Sequence, residues 1–261
     1  MNKNKMEHDM NKNQGITGWI CILFFLVLAA FAANAQEPNR HRKNPGAHAA
    51  GAQESHLTRY RDFAYDDSTI SDPDIRERVA KTIKIRIDTI YAVGLPQEMI
   101  QFLQKVPIMY KVPVDRGFAG HYNPRTKTVT LCVLPPPKNG VIKPTTEIVL
   151  LHELLHAYHH QMLGGFKNPV IIKFYKDAKT KHLFGPKYYG YNDSAEFFAT
   201  TATGYLWASL AAKEHLKQVQ PEFYDYLKKL FGPDAGKYVH PDQNESEEFS
   251  EGEMEEEEES K

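Results

Sequence analysis

The sequence predicts an α+β fold. Strand-like segments come early in its central region and long apolar helices come later, an order that segregates sheet from helices instead of interleaving them. No internal repeat is visible, and 261 residues suffice for one domain of ordinary size plus tails.

The two ends do not read as parts of that domain. A polar start with Lys3, Lys5 and Lys12 runs into an apolar stretch from about Ile16 to Ala33, closed by Ala33-Asn34-Ala35. Small residues at those two positions are what a signal peptidase reads, so residues 1–35 are expected to be a cleaved export signal and not a retained anchor. The chain is then secreted or held in the periplasm or cell envelope, without a membrane segment after cleavage. Cys21 leaves with the signal and Cys132 becomes the only thiol, so no intramolecular disulfide supports the fold. Cys132 is expected to pack as a small apolar residue. Residues 36–59, rich in Ala, Gly, Asn, Gln and His, read as a linker, and residues 60–240 as the folded domain. Residues 241–261 form an acidic tail whose Glu255–Glu259 block repels itself and stays solvated.

The formal net charge of −1 combines +1 from residues 1–35 and −9 from 244–261, which leaves +7 for 36–243. Those basic residues are scattered and no recognition motif accompanies them, so nucleic acid is not expected as a partner.

Within the domain, Ile83, Ile85 and Ile87 alternate with charged residues and predict a half-exposed strand. Gly94-Leu95-Pro96 introduces a short helix from Gln97 to about Lys105, followed by an apolar stretch, Ile108–Val112. Gly120 to Pro124 reads as a turn, and Thr128 to Val133 as a strand ended by Pro135-Pro136-Pro137, since proline has no N–H for a ladder. Thr145 or Thr146 can cap the next helix. Another runs from near Asn192 to Leu210, and a last one follows Pro221.

The helix after Thr146 carries the chemistry. In "LLHELLHAYHH", Leu150 to His160, His152 and His156 are four residues apart and share one face. With Glu153 they form HExxH, in which two imidazoles bind Zn²⁺ and the glutamate serves as general base. Neutral imidazole suits zinc, and a carboxylate beside an acidified water can take its proton and pass it to a leaving amine. The neighbours Ile148, Val149, Leu150, Leu151, Leu154 and Leu155 make the helix buried on nearly every side. Buried imidazoles and a buried carboxylate need partners, and a metal supplies them. His159 and His160 are expected beside the site or at the surface. A metzincin is excluded, because it needs glycine at 159 and histidine at 162, where this chain has His159 and Met162.

A catalytic zinc takes a third protein ligand and keeps an open position. Glu196, His182 and His215 are the candidates. Asp193 and Glu196 also have capping-box spacing, but Phe197, Phe198, Tyr205 and Leu206 mark a buried helix on which an unpaired carboxylate is costly.

HExxH followed some forty residues on by Tyr189-Gly190 and Glu196-Phe197-Phe198-Ala199 resembles the catalytic domain of anthrax lethal factor and the small secreted Pro-Pro endopeptidases, zinc metallopeptidases of the gluzincin class. The likeness covers about Gly120 to Leu206. It implies a zincin-like domain: a small mixed sheet whose edge strand lies over the HExxH helix, with a second, glutamate-bearing helix. It implies Glu196 as third ligand of one Zn²⁺ per chain, and Tyr189, before its rivals Tyr188 and Tyr191, as the tyrosine facing the substrate carbonyl. The strand Thr128–Val133 lies where such enzymes place the edge strand that pairs with substrate. One departure is Thr200, where lethal factor has an acidic residue; a threonine cannot fix an imidazole as a carboxylate does. The expected function is an exported zinc-dependent endopeptidase acting on a protein or peptide substrate as a monomer. The alternative is a catalytically silent peptide-binding or cell-surface module on the same fold.

Overall fold

Five short strands make one sheet in the order β1-β2-β3-β5-β4: β1 Leu57–Tyr60, β2 Phe63–Asp66, β3 Ile108–Lys111, β4 Gly120–Asn123 and β5 Thr128–Cys132. β1 and β2 form an antiparallel hairpin, β2, β3 and β5 run parallel, and β4 returns antiparallel to β5. The computed structural model describes residues 57–112, 119–133, 148–207 and 210–237. The expected signal, the acidic tail, the Pro135–Pro137 stop and the Thr145/Thr146 cap lie outside them, as does all of the linker but its last three residues, which belong to β1. No helix among the described residues is long and apolar enough to cross a membrane.

Among the described residues seven α-helices accompany the sheet: α1 Pro73–Ala92, α2 Gln97–Leu103, α3 Val149–Met162, α4 Pro169–Lys181, α5 Ser194–Trp207, α6 Leu210–Val219 and α7 Pro221–Phe231. One sheet face is buried, through Phe63, Tyr65, Ile108, Tyr110, Val129, Leu131 and Tyr122, while Ala64, Met109, Thr130 and His121 face the other way and are half-buried or exposed. That alternation, with helices covering a single face, gives a mixed α+β domain. Cys132 is buried and unpaired; burial pushes its thiol pKa up, which fits a small apolar role.

Two expectations fail here for local reasons. Ile83, Ile85 and Ile87 lie in α1, not in a strand. Asp72 caps that helix, accepting from the N–H groups of Asp74 (2.9 Å) and Ile75 (3.1 Å), and Pro73 begins it. Val79, Ile83, Ile87 and Ile90 are its buried stripe, and Ile85, 36% exposed, falls outside. Gly120–Asn123 is a strand, not a turn. The reversal comes three residues later: Asn123 Oδ1 accepts from the Arg125 N–H at 2.9 Å, and Lys127 takes φ 57°. This shift changes the sheet edge. β5, expected there, has a neighbour on both sides, and β4 is the strand at that edge among the described residues.

Two helices lie where the sequence pattern predicts none. α4 begins at Asn168-Pro169, with Asn168 Oδ1 accepting from the Val170 N–H at 2.9 Å, and ends at His182 in the left-handed region. α6 begins at Leu210, where the preceding helix was expected to end. Behind α5, Phe197 stacks on Phe223 at 5.0 Å and Phe223 meets Phe174 at 4.8 Å. Each aromatic pair contributes about 0.5–1.5 kcal/mol beyond its buried area, so α5 is held firmly where its first turn meets α3.

Candidate metal centre

α3 is buried over most of its length: Leu150, Leu151, Leu154, Leu155 and Ala157 have no exposed surface. Among these apolar groups, His152, Glu153 and His156 are only 4%, 6% and 6% exposed. Spacing of four residues stacks the two imidazoles on one face, edge to face at 4.8 Å.

α5 completes the set. Asp193 caps it, its Oδ1 accepting from the N–H groups of Ala195 (2.8 Å) and Glu196 (2.9 Å). Glu196 does not reciprocate as a capping-box glutamate would; its carboxylate turns to the histidines. Glu196 Oε2 lies 3.2 Å from His152 Nε2 and 3.4 Å from His156 Nε2, and the two Nε2 atoms are 3.1 Å apart. His182 and His215 are elsewhere: His182 closes α4, and His215 Nε2 faces the Leu183 carbonyl at 3.3 Å.

This triangle of acceptor atoms can hold a metal ion. Each imidazole Nε2 carries at most one hydrogen, aimed along one line, so two hydrogens cannot serve all three sides. A cation at the centre serves all three. Zinc bonds of about 2.0–2.2 Å in tetrahedral geometry separate ligand atoms by about 3.3–3.6 Å, close to the spacing here. Burial opposes ionisation of Glu196, yet the two imidazoles hold its carboxyl well below the usual carboxylate range. Burial likewise acts against the His156 cation, and the Glu196 carboxylate outweighs it and raises the pKa.

Tyr189 opens a short 3₁₀ turn, Tyr189–Tyr191, and its ring stands 6.4 Å from that of His152. Burial, then the charges of Glu196, Glu153 and Asp193, push its phenol far above its ordinary value, so it remains a donor. Its rivals are engaged otherwise. Thr201 Oγ1 donates to the Phe197 carbonyl at 2.7 Å and accepts from the Tyr188 hydroxyl, while Tyr191 Oη accepts from the Phe184 N–H at 2.9 Å.

Among three neighbouring residues, His159 departs from expectation. His159 is neither beside the metal site nor at the surface. It has no exposed surface, neither ring nitrogen has a hydrogen-bond partner among the described residues, and its ring packs on Phe198 (4.8 Å) and Phe166 (5.3 Å). His160 is half-buried and ties α3 to the edge strand, its Nδ1 3.0 Å from Tyr122 Oη. Thr200 is buried with its hydroxyl unpartnered among the described residues, so it does not orient a ligand histidine. Gly120 and Tyr122, read in the sequence as turn residues, press against α3 from the sheet.

No family model matches this chain, and no curated protein does. Among solved structures it is similar to the Pro-Pro endopeptidase PPEP-2 from Paenibacillus alvei, with 22% identity and a TM-score of 0.40, over 62% of this chain and 95% of that one. Likeness at this level leaves function to the site's own geometry.

Proposed function

We propose that this chain is an exported zinc-dependent endopeptidase with a zincin-like domain, in which His152, His156 and Glu196 hold one Zn²⁺. The observation that carries this reading is the triangle of three ligand atoms 3.1–3.4 Å apart, with Glu153 beside it on α3 and Tyr189 against His152. A zinc ion held there supplies Lewis acidity at neutral pH.

The chain's own groups do the rest. A peptide pairs with the outer edge of β4. Cys132 N–H donates to the Ala119 carbonyl at 3.0 Å, so by antiparallel alternation the main-chain groups of His121 and Asn123 turn to β5 and those of Gly120 and Tyr122 turn outward. Water adds to the scissile carbonyl carbon as Glu153 takes its proton. The C–N bond then breaks, and Glu153 delivers that proton to the leaving nitrogen. The Tyr189 phenol donates to the oxyanion that develops on the carbonyl oxygen. Burial of Glu153 and of the imidazoles keeps these interactions away from bulk water, which would weaken them.

The test is a peptide-library digest read by mass spectrometry, run beside zinc titration of the same protein. One zinc per chain and zinc-dependent cleavage of internal bonds are expected. Zinc binding without cleavage would point to the silent peptide-binding module, and no binding would end the metallopeptidase reading.

A further inference from the structure

We propose that Gly120 is a positioning residue that sets where the Glu153 carboxylate stands. This rests on the peptidase reading above and adds to it a residue that holds neither metal nor proton.

Gly120 lies within β4, and its φ is not among the positive values that call for glycine, so backbone conformation does not explain it. Glycine inside a strand weakens it and marks a close approach. A Cβ at this position would stand 2.8 Å from Val149 Cγ1, 2.9 Å from Glu153 Cγ and 3.0 Å from Glu153 Oε1. The missing side chain is therefore the space in which the Glu153 side chain sits.

Neither neighbour can step back. β4 is laddered to β5 from Gly120 to Asn123. Two residues along, Tyr122 Oη accepts from Gln161 Nε2 at 3.2 Å and meets His160 Nδ1 at 3.0 Å, which pins the strand to the far end of α3. On the other side α3 is packed through leucines with no exposed surface. A methyl group at 120 is most easily accommodated by swinging the Glu153 side chain aside. The fold then survives, and the proton acceptor is misplaced. The three atoms nearest that methyl group belong to Val149 and Glu153 and none to His152 or His156, so metal binding is expected to be spared.

The experiment compares the full chain with Gly120→Ala, and with Gly120→Ala/Val149→Ala, which removes the 2.8 Å contact and leaves those with Glu153. Zinc stoichiometry, thermal midpoint, kcat and KM are measured with a peptide cleaved by the wild type. In Gly120→Ala kcat should fall about a hundredfold, as expected for a reacting group displaced by roughly 1 Å, with zinc bound one per chain and KM little changed. The double variant should regain any lost thermal stability and stay slow. Wild-type kcat in Gly120→Ala, its recovery in the double variant, or a loss carried entirely by KM would each overturn the role of Gly120 and leave the peptidase reading intact. A wild type that cleaves nothing would overturn both.

Discussion

His156 and His159 stand about one turn apart on α3, both buried, and they behave oppositely. His156 faces α5, where the Glu196 carboxylate 3.4 Å away raises its pKa against the effect of burial. His159 faces Phe166 and Phe198, and burial, then the neighbouring imidazoles of His156 and His160, push its pKa down to about 4. Burial alone makes a neutral core side chain of a histidine. A facing carboxylate turns the same residue into a candidate ligand. One helix thus carries a polar face that gathers the candidate ligands and an aromatic face packed into the core.

The sharpest way to break this contrast is to remove the ligand face. His152→Ala or His156→Ala should abolish both zinc binding and cleavage, read by metal analysis and peptide assay, and Glu196→Gln should weaken zinc markedly, because a neutral amide is a poorer ligand. A Glu196→Gln protein that binds zinc normally would remove Glu196 from the ligand set.

Next in size is Glu153→Gln, expected to keep zinc and lower turnover by on the order of a hundredfold to ten-thousandfold, the range for loss of a general base. Cleavage at wild-type rates would remove Glu153 from the chemistry. Tyr189→Phe should follow, with turnover down by on the order of a hundredfold to a thousandfold and zinc affinity unchanged. Tyr191→Phe, whose hydroxyl serves the Phe184 N–H, should turn over normally; the reverse ranking would exchange the two tyrosines.

The smallest effect belongs to the other face. His159→Phe should retain zinc and cleavage at neutral pH and alter only acid stability. Its folded pKa of about 4 lies below its ordinary 6.5, so the unfolded chain binds a proton that the fold refuses. Stability is therefore complete above about pH 6.5 and declines as pH falls toward 4, by about 3 kcal/mol. Denaturant midpoints between these pH values should vary less in His159→Phe than in the wild type. Loss of zinc in that variant would place His159 on the functional face after all.

How legible each part was depended on the range of the interaction. His152, Glu153 and His156 could be read directly, since a four-residue spacing on an apolar helix stacks two imidazoles wherever the helix packs. Glu196 and Tyr189 were proposed from resemblance, because nothing in spacing chooses among carboxylates forty residues away. α1 is hidden from the pattern, because three isoleucines in alternation satisfy a strand as well as part of a helical stripe, and only the Asp72-Pro73 start signal separates the two. Gly120 marks a turn three residues too early in the sequence, because Asn123, not Gly120, supplies the side chain that closes it.

The sequence by itself determined the apolar helix, the pairing of His152 with His156 on one face, and the presence of Glu153 beside them, for these follow from 3.6 residues per turn. Tertiary structure decided the rest. It brought Glu196, 44 residues from His152, within 3.2 Å and so made a third ligand atom available. It sent His159 into the aromatic core, three residues from a candidate ligand. It also placed β4 at the sheet edge, with Gly120 against Glu153. Such outcomes depend on which surfaces meet when helices and strands pack, and contacts between residues distant along the chain leave no periodic mark in the sequence.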